Sequence, residues 1–533
     1  MATRLFSKSL RRLLHRMAIT RMTTNIHALA SCVLALASTV SIADAGLLCD
    51  SLKTAAFPDT RLAAVTPITP APVWTIDLQT SAQVRKIAVK NSFCRVEGVI
   101  EKEVGFELWL PAKADWNGRF LGVGSGGSAG YINYPELARG LAHGFASAST
   151  NSGHKLTDHA WMLGNPERIR NYSDRAHHLL AQTAKKILAA YYGQDSRHAY
   201  FIGCSGGGRQ GLKEMQQYPG DYDGIIAGAP GPDMPVMTVR HLMTGLMQSG
   251  HPEARLGDHD WQLVADAAIA ACDGNDGVKD GVIENPVACT FDPGVLLCKS
   301  ATDKDCLSPA QLQLVRQISA PIRDEAGRQI DSGLLPGVRT RPGPPPDLVT
   351  EFFAHGVYQD RHWSPASFNI SRDLAAARKA LPDIWADDPD LTGFKLLGGK
   401  AIIYSGWMDP SVIAEQALNY YQRVVATMGG AEKTGGFLRL YMAPGVFHCS
   451  GGPGPDRFGG AGGDAPSVDA DHDMLSSMVD WVETGNAPER IIASRVIDGK
   501  VVRTRPLCPY PRLAQYTGTG STDSAENFKC SFP

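Results

Sequence analysis

The residues that could do chemistry first appear as a G-x-S-x-G pattern that spans Gly203–Gly207 and carries Ser205 at its centre. An apolar, strand-like run at 199–202 precedes this pattern, and a helix-like segment begins at Arg209. Small residues around a serine allow a strand-to-helix turn to tighten until the hydroxyl stands exposed above the sheet. Between a strand and a helix, the pattern predicts that Ser205 is a nucleophile. Outside such a context the same pattern is often incidental.

A serine hydroxyl becomes nucleophilic only when a base removes its proton, and a histidine base needs a carboxylate that fixes its tautomer. Asp409 and His448 follow Ser205 in the order typical of α/β-hydrolase sheets, and each comes shortly after a strand-like run. We therefore predict a triad of Ser205, Asp409 and His448 at the carboxyl ends of parallel strands. The alternative is that Asp409 only caps the following helix. The other candidate acids are Asp456 and Asp464.

Cysteines stand directly beside two of these residues. Cys204 precedes Ser205, and Cys449 follows His448. A disulfide between the two cysteines would place the serine and the histidine side by side, although they are far apart in the sequence. The cysteine pair is therefore a second indication that Ser205 and His448 act together.

The oxyanion that develops during acyl transfer needs two preorganised backbone N–H donors. One normally belongs to the residue after the nucleophile, which here is Gly206, and the other to a loop after an earlier strand. The glycine-rich loop 124–127 follows the strand-like run 120–123, and we choose Gly127 as the second donor. The alternative interpretation of this loop is a plain tight turn.

A second group of polar residues lies in a loop between two cysteines. Asp273, Asp276 and Asp280 alternate with glycines, which allow the carbonyl groups of Val278 and Val282 to turn inward. Crowded carboxylates repel each other unless a cation neutralises them, and oxygen ligands of this kind favour calcium. The spacing lacks the final glutamate of an EF-hand, so a solvated acidic turn is the alternative. A calcium ion here would be structural.

Two parts of the chain alternate short apolar runs with amphipathic segments, from residue 104 to 230 and again from residue 400. Such alternation predicts a doubly wound, mostly parallel sheet that is covered by helices on both faces. The intervening segment 231–397 lacks the alternation and is rich in cysteine and proline. We therefore predict a catalytic domain from 46–230 and 398–533, with 231–397 inserted as a large lid near the active-site face.

The first 45 residues have the pattern of a signal peptide. Six basic residues within the first 21 precede an apolar stretch that ends in small residues, and we place cleavage before Gly46. Translation could instead begin at Met17 or Met22, and the segment before Cys32 weakly resembles a lipoprotein cleavage site. No later segment has about 18 consecutive apolar residues, so we expect a secreted or periplasmic protein without a membrane span.

Removal of this leader leaves ten cysteines, an even number that suits five disulfides in an oxidising compartment. Spacing suggests the pairs, although the sequence alone does not fix their connectivity. The suggested pairs are Cys49 with Cys94, Cys204 with Cys449, Cys272 with Cys289, Cys298 with Cys306, and Cys508 with Cys530.

The charge balance excludes some classes of partner. The chain has 52 basic and 54 acidic residues and a formal net charge of −2. That balance leaves no electrostatic footprint for nucleic acid or for an anionic membrane. We therefore expect neither of these partners. The substrate we expect is a small-molecule aromatic ester, and we expect a monomeric protein, although the sequence does not determine the oligomeric state.

The motifs together resemble those of the tannase and feruloyl esterase family, whose members include a terephthalate monoester hydrolase. The matching residues are Cys204-Ser205, Asp409 and His448-Cys449, and the segments 218–230 and 272–283 are also similar. The resemblance covers nearly all of the chain after the leader. It implies an α/β-hydrolase fold, a lid with a calcium site, and a pocket for an aromatic acyl group.

The resemblance implies a serine carboxylic ester hydrolase that cleaves esters of phenolic acids through an acyl-enzyme on Ser205. Hydrolysis of terephthalate monoesters is the first alternative, and acyl transfer to another alcohol is a second. A non-catalytic protein that binds polyphenols or carbohydrates is an alternative of a different class. Candidate lid contacts for the aromatic ring are Trp363, Phe368, Phe352 and Phe353. Candidate partners for a substrate carboxylate are Arg361 and Arg372. The alternative role for all six is plain lid packing or a place on the surface.

Overall fold

The structure is a computed structural model that describes residues 49–69, 71–76, 85–89, 91–300, 302–340 and 342–533. The predicted signal peptide, its cleavage site and the alternative starts therefore lie outside the described residues. Within these ranges, none of the helices is both long enough and apolar enough to cross a membrane.

A nine-stranded sheet forms the centre of the molecule, in the order β1-β4-β5-β7-β6-β8-β9-β10-β11. The six strands from β7 to β11 in this order run parallel, and β1, β4 and β5 add an antiparallel edge. The mostly parallel sheet that the alternation predicts is therefore confirmed. The strands of this sheet are β1 Thr60–Ile68, β4 Phe93–Ile100, β5 Val104–Pro111, β6 Arg119–Val123, β7 Ala146–Thr150, β8 His198–Cys204, β9 Gly224–Gly228, β10 Lys400–Gly406 and β11 Leu438–Ala443.

Three two-stranded sheets flank the central one. They pair β2 (Ala71–Ile76) with β3 (Arg85–Val89), β12 (Ile491–Ile497) with β13 (Lys500–Leu507), and β14 (Leu513–Tyr516) with β15 (Phe528–Ser531). The last two pairs lie in the carboxyl-terminal part of the chain. This part contacts the acidic loop of the insertion through Arg503.

Helices cover both faces of the central sheet. The α-helices of the described residues are Tyr134–Ala142, Pro166–Arg170, Ala176–Tyr192, Gly206–Gln217, Met234–Gly250, Asp258–Cys272, Pro309–Ser319, Asp347–Glu351, Ile370–Ala380, Thr392–Leu396, Ala414–Thr427, Ala431–Gly435 and Met474–Thr484. Two π-helical turns span Asn171–Arg175 and Phe352–Val357. The short 3₁₀ turns are Leu52–Thr54, Pro252–Ala254, Asp273–Asp276, Pro286–Ala288, Pro293–Leu296, Pro365–Ser367, Pro382–Ile384 and Ala525–Asn527.

Alternate residues of the parallel strands feed two separate hydrophobic cores. On β8, Phe201 joins a core beneath helices Ala176–Tyr192 and Ala414–Thr427, whereas Tyr200 and Ile202 join a core beneath Met474–Thr484. Successive side chains of a strand point to opposite faces of the sheet. A strand that is buried on both faces therefore has a continuous run of apolar residues in its sequence. This burial explains the apolar segment that precedes the G-x-S-x-G pattern.

The segment 231–397 lies between the end of β9 and the start of β10. It is built mainly of helices and contains two hydrophobic clusters, one around Phe353 and Trp385 and one around Trp261 and Val315. The first cluster also includes Trp161 and other residues that precede the insertion in the sequence. The insertion therefore packs directly on the part of the chain that carries the sheet.

Five disulfides join the ten cysteines of the described residues. The pairs are the ones that the spacing suggests: Cys49–Cys94, Cys204–Cys449, Cys272–Cys289, Cys298–Cys306 and Cys508–Cys530. Three of them close short loops, whereas Cys204–Cys449 spans a sequence separation of 245 residues. This bond links the end of β8 to the loop after β11.

Candidate active site

Ser205 occupies a sharp turn between β8 and helix Gly206–Gln217. Its backbone has φ 62° and ψ −124°, a conformation that non-glycine residues rarely adopt and that is typical of a nucleophile elbow. A Cβ atom on Gly203 would lie 2.6 Å from the backbone of Gly207, so the turn requires glycine there. The Ser205 N–H donates to the carbonyl oxygen of Gly228, 2.9 Å away, which ties the turn to the end of β9. The turn therefore presents the serine at the carboxyl edge of the sheet.

Asp409 and His448 lie in the loops that follow β10 and β11. His448 Nδ1 is 2.7 Å from Asp409 Oδ2. The other carboxylate oxygen accepts backbone N–H groups of Ser411 (2.7 Å) and Val412 (3.0 Å). The Asp409 side chain is 0% exposed and that of His448 is 25% exposed. A fully buried and fully bonded carboxylate thus holds the Nδ1 proton, which leaves His448 Nε2 free to act as a base.

The two alternative acids do not contact His448. Asp456 accepts the backbone N–H of Gly451 at 2.9 Å, and the side chain of Asp464 is 78% exposed beside Arg139. The geometry therefore favours Asp409 as the partner of the histidine.

The disulfide Cys204–Cys449 joins the serine turn to the histidine loop, with a Cα–Cα distance of 5.9 Å. Ser205 and His448 are the chain neighbours of these two cysteines, and both line the same cavities. Together with the Asp409–His448 hydrogen bond, the disulfide connects all three residues of the predicted triad. A covalent bond and a hydrogen bond therefore fix the relative positions of the segments that carry these residues.

The predicted oxyanion donors lie next to each other. A Cβ atom on Gly206 would lie 2.8 Å from the carbonyl oxygen of Gly127, which shows how closely the two loops approach. Gly126 N–H is already bonded to the hydroxyl of Tyr131 at 3.0 Å. Within the described part of the chain, neither Gly127 N–H nor Gly206 N–H donates a hydrogen bond. Both are therefore available for a substrate oxygen, and Gly127 is the better candidate in its loop.

Two cavities meet at Ser205 and His448. The larger, which we call the outer groove, has a volume of about 930 Å³, and the smaller, which we call the inner chamber, has about 420 Å³. The residues that line both are Gly127, Ser205, Leu348 and His448. An ester whose carbonyl carbon lies at Ser205 extends in two directions, so one cavity suits the acyl group and the other the alcohol.

Some polar residues at these cavities could not be predicted from the sequence. In the inner chamber, the buried Arg209 donates to the carbonyl oxygens of Tyr172 and Ser173, and its guanidinium lies 4.8 Å from the centre of the Tyr172 ring. The Tyr172 hydroxyl donates to the carbonyl oxygen of Gly127 at 3.1 Å and so holds the glycine-rich loop 124–127 in place. No local motif distinguishes these residues, because their roles arise from contacts between distant segments.

The inner chamber also contains His241, from helix Met234–Gly250 of the insertion. Burial lowers the pKa of His241, and the nearby His448 lowers it further, although Asp409 and a hydrogen bond to Ser411 oppose the shift. The balance leaves the imidazole neutral near pH 7.

The aromatic side chains predicted to contact a substrate ring pack within the inserted segment 231–397. Phe352 and Phe353 are buried, and Phe353 contacts Trp363 and Phe368 with ring centroids 5.5 Å and 5.1 Å apart. None of these four is among the residues that line the two cavities. Arg372 pairs with Asp373 and Arg361 is exposed. The alternative role of packing therefore applies to the four aromatic residues, since they contact neighbouring side chains and do not line either cavity.

The acidic loop lies against the carboxyl-terminal strands. Asp273 Oδ1 accepts backbone N–H groups of Asp280 and Val282 at 3.0 and 3.2 Å, so it shapes the loop itself. Asp280 pairs with Arg505, and its carbonyl oxygen accepts from Arg503 at 2.7 Å. Across the described ranges, no three or more His, Cys, Asp and Glu side chains are arranged as a group that could hold a metal ion.

The donor chemistry of this loop nonetheless fits a hard cation. The carbonyl oxygens of Val278 and Val282 have no hydrogen-bond donor among the described residues, although both residues are buried. Burial raises the pKa of Asp276 and of Asp280, and it raises the pKa of the adjacent Glu284 to about 7. A cation would relieve this crowding of partly buried carboxylates.

A family model described as "Tannase and feruloyl esterase" matches residues 87–342 and 354–531 of the chain. The chain belongs to the tannase and feruloyl esterase family. An uncharacterized esterase of Xanthomonas campestris is 35% identical over 543 residues, which cover 93% of each chain. A probable feruloyl esterase B-1 of Aspergillus terreus is 35% identical over 471 residues, which cover 83% of this chain and 87% of the relative.

Solved structures of this family confirm the α/β-hydrolase fold. Feruloyl esterase B of Aspergillus oryzae has a TM-score of 0.84 at 28% identity, covering 91% of this chain and 99% of its own. The tannin acyl hydrolase of Aspergillus niger has a TM-score of 0.73 at 23% identity, covering 90% and 93% respectively, and shows a shared fold. As a member of the family, the protein is a carboxylic ester hydrolase that acts on small-molecule esters. This conclusion disfavours the alternative of a non-catalytic binding protein.

Proposed function

We propose that this family member hydrolyses esters of phenolic aromatic acids through an acyl-enzyme on Ser205. The observation that carries the proposal is the linked arrangement of three residues. Ser205 lies on a strained turn, His448 is bonded to the buried Asp409 at 2.7 Å, and a disulfide joins the serine turn to the histidine loop. This arrangement supplies a nucleophile, a base and a group that orients the base.

The proposed reaction proceeds in two stages. In the first, His448 Nε2 removes the Ser205 hydroxyl proton as Oγ attacks the ester carbonyl carbon. The N–H groups of Gly127 and Gly206 bind the oxyanion, and His448 then protonates the departing alcohol. In the second stage, His448 removes a proton from water as the water oxygen attacks the acyl carbonyl carbon. The bond between that carbon and Ser205 Oγ then breaks, and His448 returns the proton to Oγ, which releases the acid and free Ser205.

The lining of the inner chamber supports a neutral aromatic acyl group. Its apolar side chains include Met234, Met237, Val349 and Val412, which suit the faces of a ring. Among the described residues that line it, Arg209 is the cationic side chain. Its two Nη atoms donate to backbone carbonyl oxygens, and its Nε, although unbonded, is buried and so not accessible from the chamber. A terephthalate monoester would bring a carboxylate into this chamber, where it would lack a free cationic partner among those residues.

A hydrolysis panel tests the proposed substrate class. We expect the purified protein to hydrolyse methyl ferulate or methyl gallate with a kcat/KM at least about 10-fold above that for mono(2-hydroxyethyl) terephthalate, since the latter must bury an unpaired carboxylate. The Ser205→Ala variant controls for contaminating esterases. A preference for the terephthalate ester would establish the alternative function, and inactivity on all three esters would contradict the proposal. Adding a competing alcohol and analysing the products tests acyl transfer.

We further propose that the acidic loop holds a structural calcium ion. The residues that would hold it are Asp273, Asp276, Asp280 and the carbonyl groups of Val278 and Val282. A bound ion would neutralise the carboxylates and brace the loop against the carboxyl-terminal strands, at a distance from the chemical step. The support for this proposal is the oxygen donor set described above, with its two unbonded carbonyl oxygens.

Calcium removal is expected to affect stability and not turnover. Because a ligand that binds only the folded state stabilises it, 1 mM calcium should raise Tm above that in EGTA by at least about 2 °C. The kcat at 25 °C should stay nearly unchanged. Differential scanning fluorimetry of the wild type, Asp276→Asn and the exposed-site control Asp195→Asn measures the shift. The shift should disappear only in Asp276→Asn, and an equal Tm with calcium and EGTA in the wild type would refute the proposal.

We also propose that the protein is exported to the periplasm or the medium. Five disulfides among the described residues support an oxidising compartment. The basic and apolar leader of the sequence supports the same location. The expected monomer stays a prediction.

A further inference from the structure

His241 connects the insertion to the loop that holds the catalytic acid. It lies on helix Met234–Gly250, lines the inner chamber, and has Nε2 2.7 Å from the carbonyl oxygen of Ser411. A carbonyl oxygen can only accept, so Nε2 must carry a hydrogen in this contact. In a neutral imidazole the other ring nitrogen, Nδ1, is then an acceptor without a hydrogen.

The Nδ1 atom has no partner among the described residues. Nε2 makes the only hydrogen bond found for this side chain within that part of the protein, and Nδ1 is not among the buried side-chain atoms that lack a partner. Nδ1 is thus an unbonded acceptor that is not buried, on a side chain that lines the inner chamber. The chamber therefore has an acceptor with a fixed role on an otherwise largely apolar wall.

The other polar side chains of the chamber are less selective. The Thr238 hydroxyl is engaged, since it donates to the carbonyl oxygen of Met234 at 2.9 Å. The hydroxyls of Thr244 and Thr340 also lie at the chamber, and a hydroxyl can either donate or accept. His241 Nδ1 can only accept, and unlike His448 Nε2 it takes no part in the proposed proton transfers. It can therefore distinguish a ligand hydroxyl from a methoxy group or a hydrogen atom.

The inner chamber is the better place for the acyl group. It is the smaller cavity, and it is bounded by the serine turn, the insertion and the loop after β10. The outer groove has more than twice its volume, which leaves room for a larger alcohol group. An aromatic acyl group in the chamber would have its faces against apolar side chains and its ring edge toward polar atoms on the wall.

We propose that His241 Nδ1 accepts a hydrogen bond from a phenolic hydroxyl of the acyl group, and so makes His241 a specificity residue for hydroxylated aromatic acids. This inference rests on the proposed function, because it needs an acyl group in the inner chamber during turnover. The hydrogen bond selects acids with a free ring hydroxyl over acids that are unsubstituted or methylated at that position.

His241 also has a positioning role, and the experiment must distinguish this role from the proposed role in specificity. The same Ser411 whose carbonyl oxygen contacts Nε2 donates its backbone N–H to Asp409 Oδ1 at 2.7 Å. Loss of the Nε2 contact would therefore loosen the acid and slow every substrate. Two substitutions divide the roles, since glutamine places an amide near the position of Nε2 and asparagine places one near the position of Nδ1.

The experiment compares methyl 4-hydroxycinnamate, methyl 3-hydroxycinnamate and methyl cinnamate, with 4-nitrophenyl acetate as a substrate that lacks the ring in its acyl group. We take the ratio of kcat/KM for the better hydroxylated ester to that for methyl cinnamate. In His241→Gln this ratio should fall by about 5- to 10-fold relative to the wild type, as expected for one lost hydrogen bond. Turnover of 4-nitrophenyl acetate should change less than the ratio. In His241→Asn the ratio should be kept while all substrates slow together.

A measurement on the wild type tests the same hydrogen bond without relying on a variant that must fold. Methylating the preferred hydroxyl, for example in methyl 4-methoxycinnamate, should lower kcat/KM by about 5- to 10-fold, because a methoxy group cannot donate to Nδ1. An unchanged ratio in a folded His241→Gln, or equal turnover of hydroxy and methoxy esters by the wild type, overturns the inference. Equal slowing of every substrate in both variants assigns His241 to bracing alone and overturns it too. Full activity of Ser205→Ala would instead show that the proposed function itself has failed.

Discussion

Replacing Ser205 with alanine is expected to lower kcat for an aryl ester by about 10⁶-fold, because the variant lacks the atom that forms the acyl-enzyme. Binding and the oxyanion donors survive the change, so a small residual rate above that of water should remain. The fold should be unaffected, since the strained backbone at Ser205 is held by Gly228 and by the Cys204–Cys449 disulfide. Steady-state kinetics with methyl ferulate and a melting curve measure the two effects.

The matched control for this variant is Ser196→Ala, which removes a hydroxyl just before β8 without touching either cavity. The control should keep wild-type kinetics. If Ser205→Ala retains turnover within an order of magnitude of the wild type and the control behaves identically, another residue must be the nucleophile, and the proposed acyl-enzyme on Ser205 is wrong.

Replacing Asp409 with asparagine is expected to lower kcat by about 10⁴-fold. The amide keeps the size of the carboxylate and can still accept from Ser411 and Val412 through its oxygen. Its NH₂ group would then face His448 Nδ1 and donate to it, which places the imidazole hydrogen on Nε2. A protonated Nε2 cannot remove the serine proton, so the loss should appear in kcat more than in Tm.

The control for the acid is Asp464→Asn, because Asp464 was an alternative acid in the sequence and is largely exposed beside Arg139. We expect this variant to keep full activity. A pH–rate profile of both variants between pH 5 and 9 checks that no other carboxylate takes over. Loss of activity in Asp464→Asn, with Asp409→Asn active, would reverse the assignment of the acid.

The central arrangement of the site could be predicted from the sequence because its determinants are local. Each of the three residues follows an apolar strand of the parallel sheet, and the carboxyl ends of such strands meet at one edge. Ser205 needs a turn that only small neighbours allow, and these neighbours are contiguous in the chain. The cysteines beside Ser205 and His448 added a long-range constraint that is visible in the sequence, which is unusual.

The walls of the cavities could not be predicted, because they are made by contacts between distant segments. His241 reaches Ser411 across 170 residues, and Arg209 reaches the carbonyl oxygen of Ser173 from another helix. The lid aromatics were misleading for a physical reason. Large apolar side chains are needed to fill the insertion's own core. Phe353 is therefore buried, and the partly buried Trp363 and Phe368 pack against it and do not line the cavities.

The acidic loop is a third place where the structure differs from what the sequence predicts. The sequence indicated three carboxylates that need a cation, but it gave no sign that Arg505 of β13 approaches Asp280 from 225 residues away. That pairing supplies part of the neutralising charge, and the calcium proposal therefore depends on the remaining carboxylates and the two unbonded carbonyl oxygens. The antiparallel edge formed by β1, β4 and β5 was likewise not indicated for its first two strands, because the predicted alternation begins only at residue 104.

The most direct test of the central claim is to locate the nucleophile by covalent labelling. The protein is treated with a fluorophosphonate, and the labelled peptides are mapped by mass spectrometry alongside the loss of esterase activity. Our account predicts one label per chain on Ser205, in step with complete loss of activity, and no label in Ser205→Ala. Activity that persists after full labelling, or inactivating label on a different residue, would contradict it.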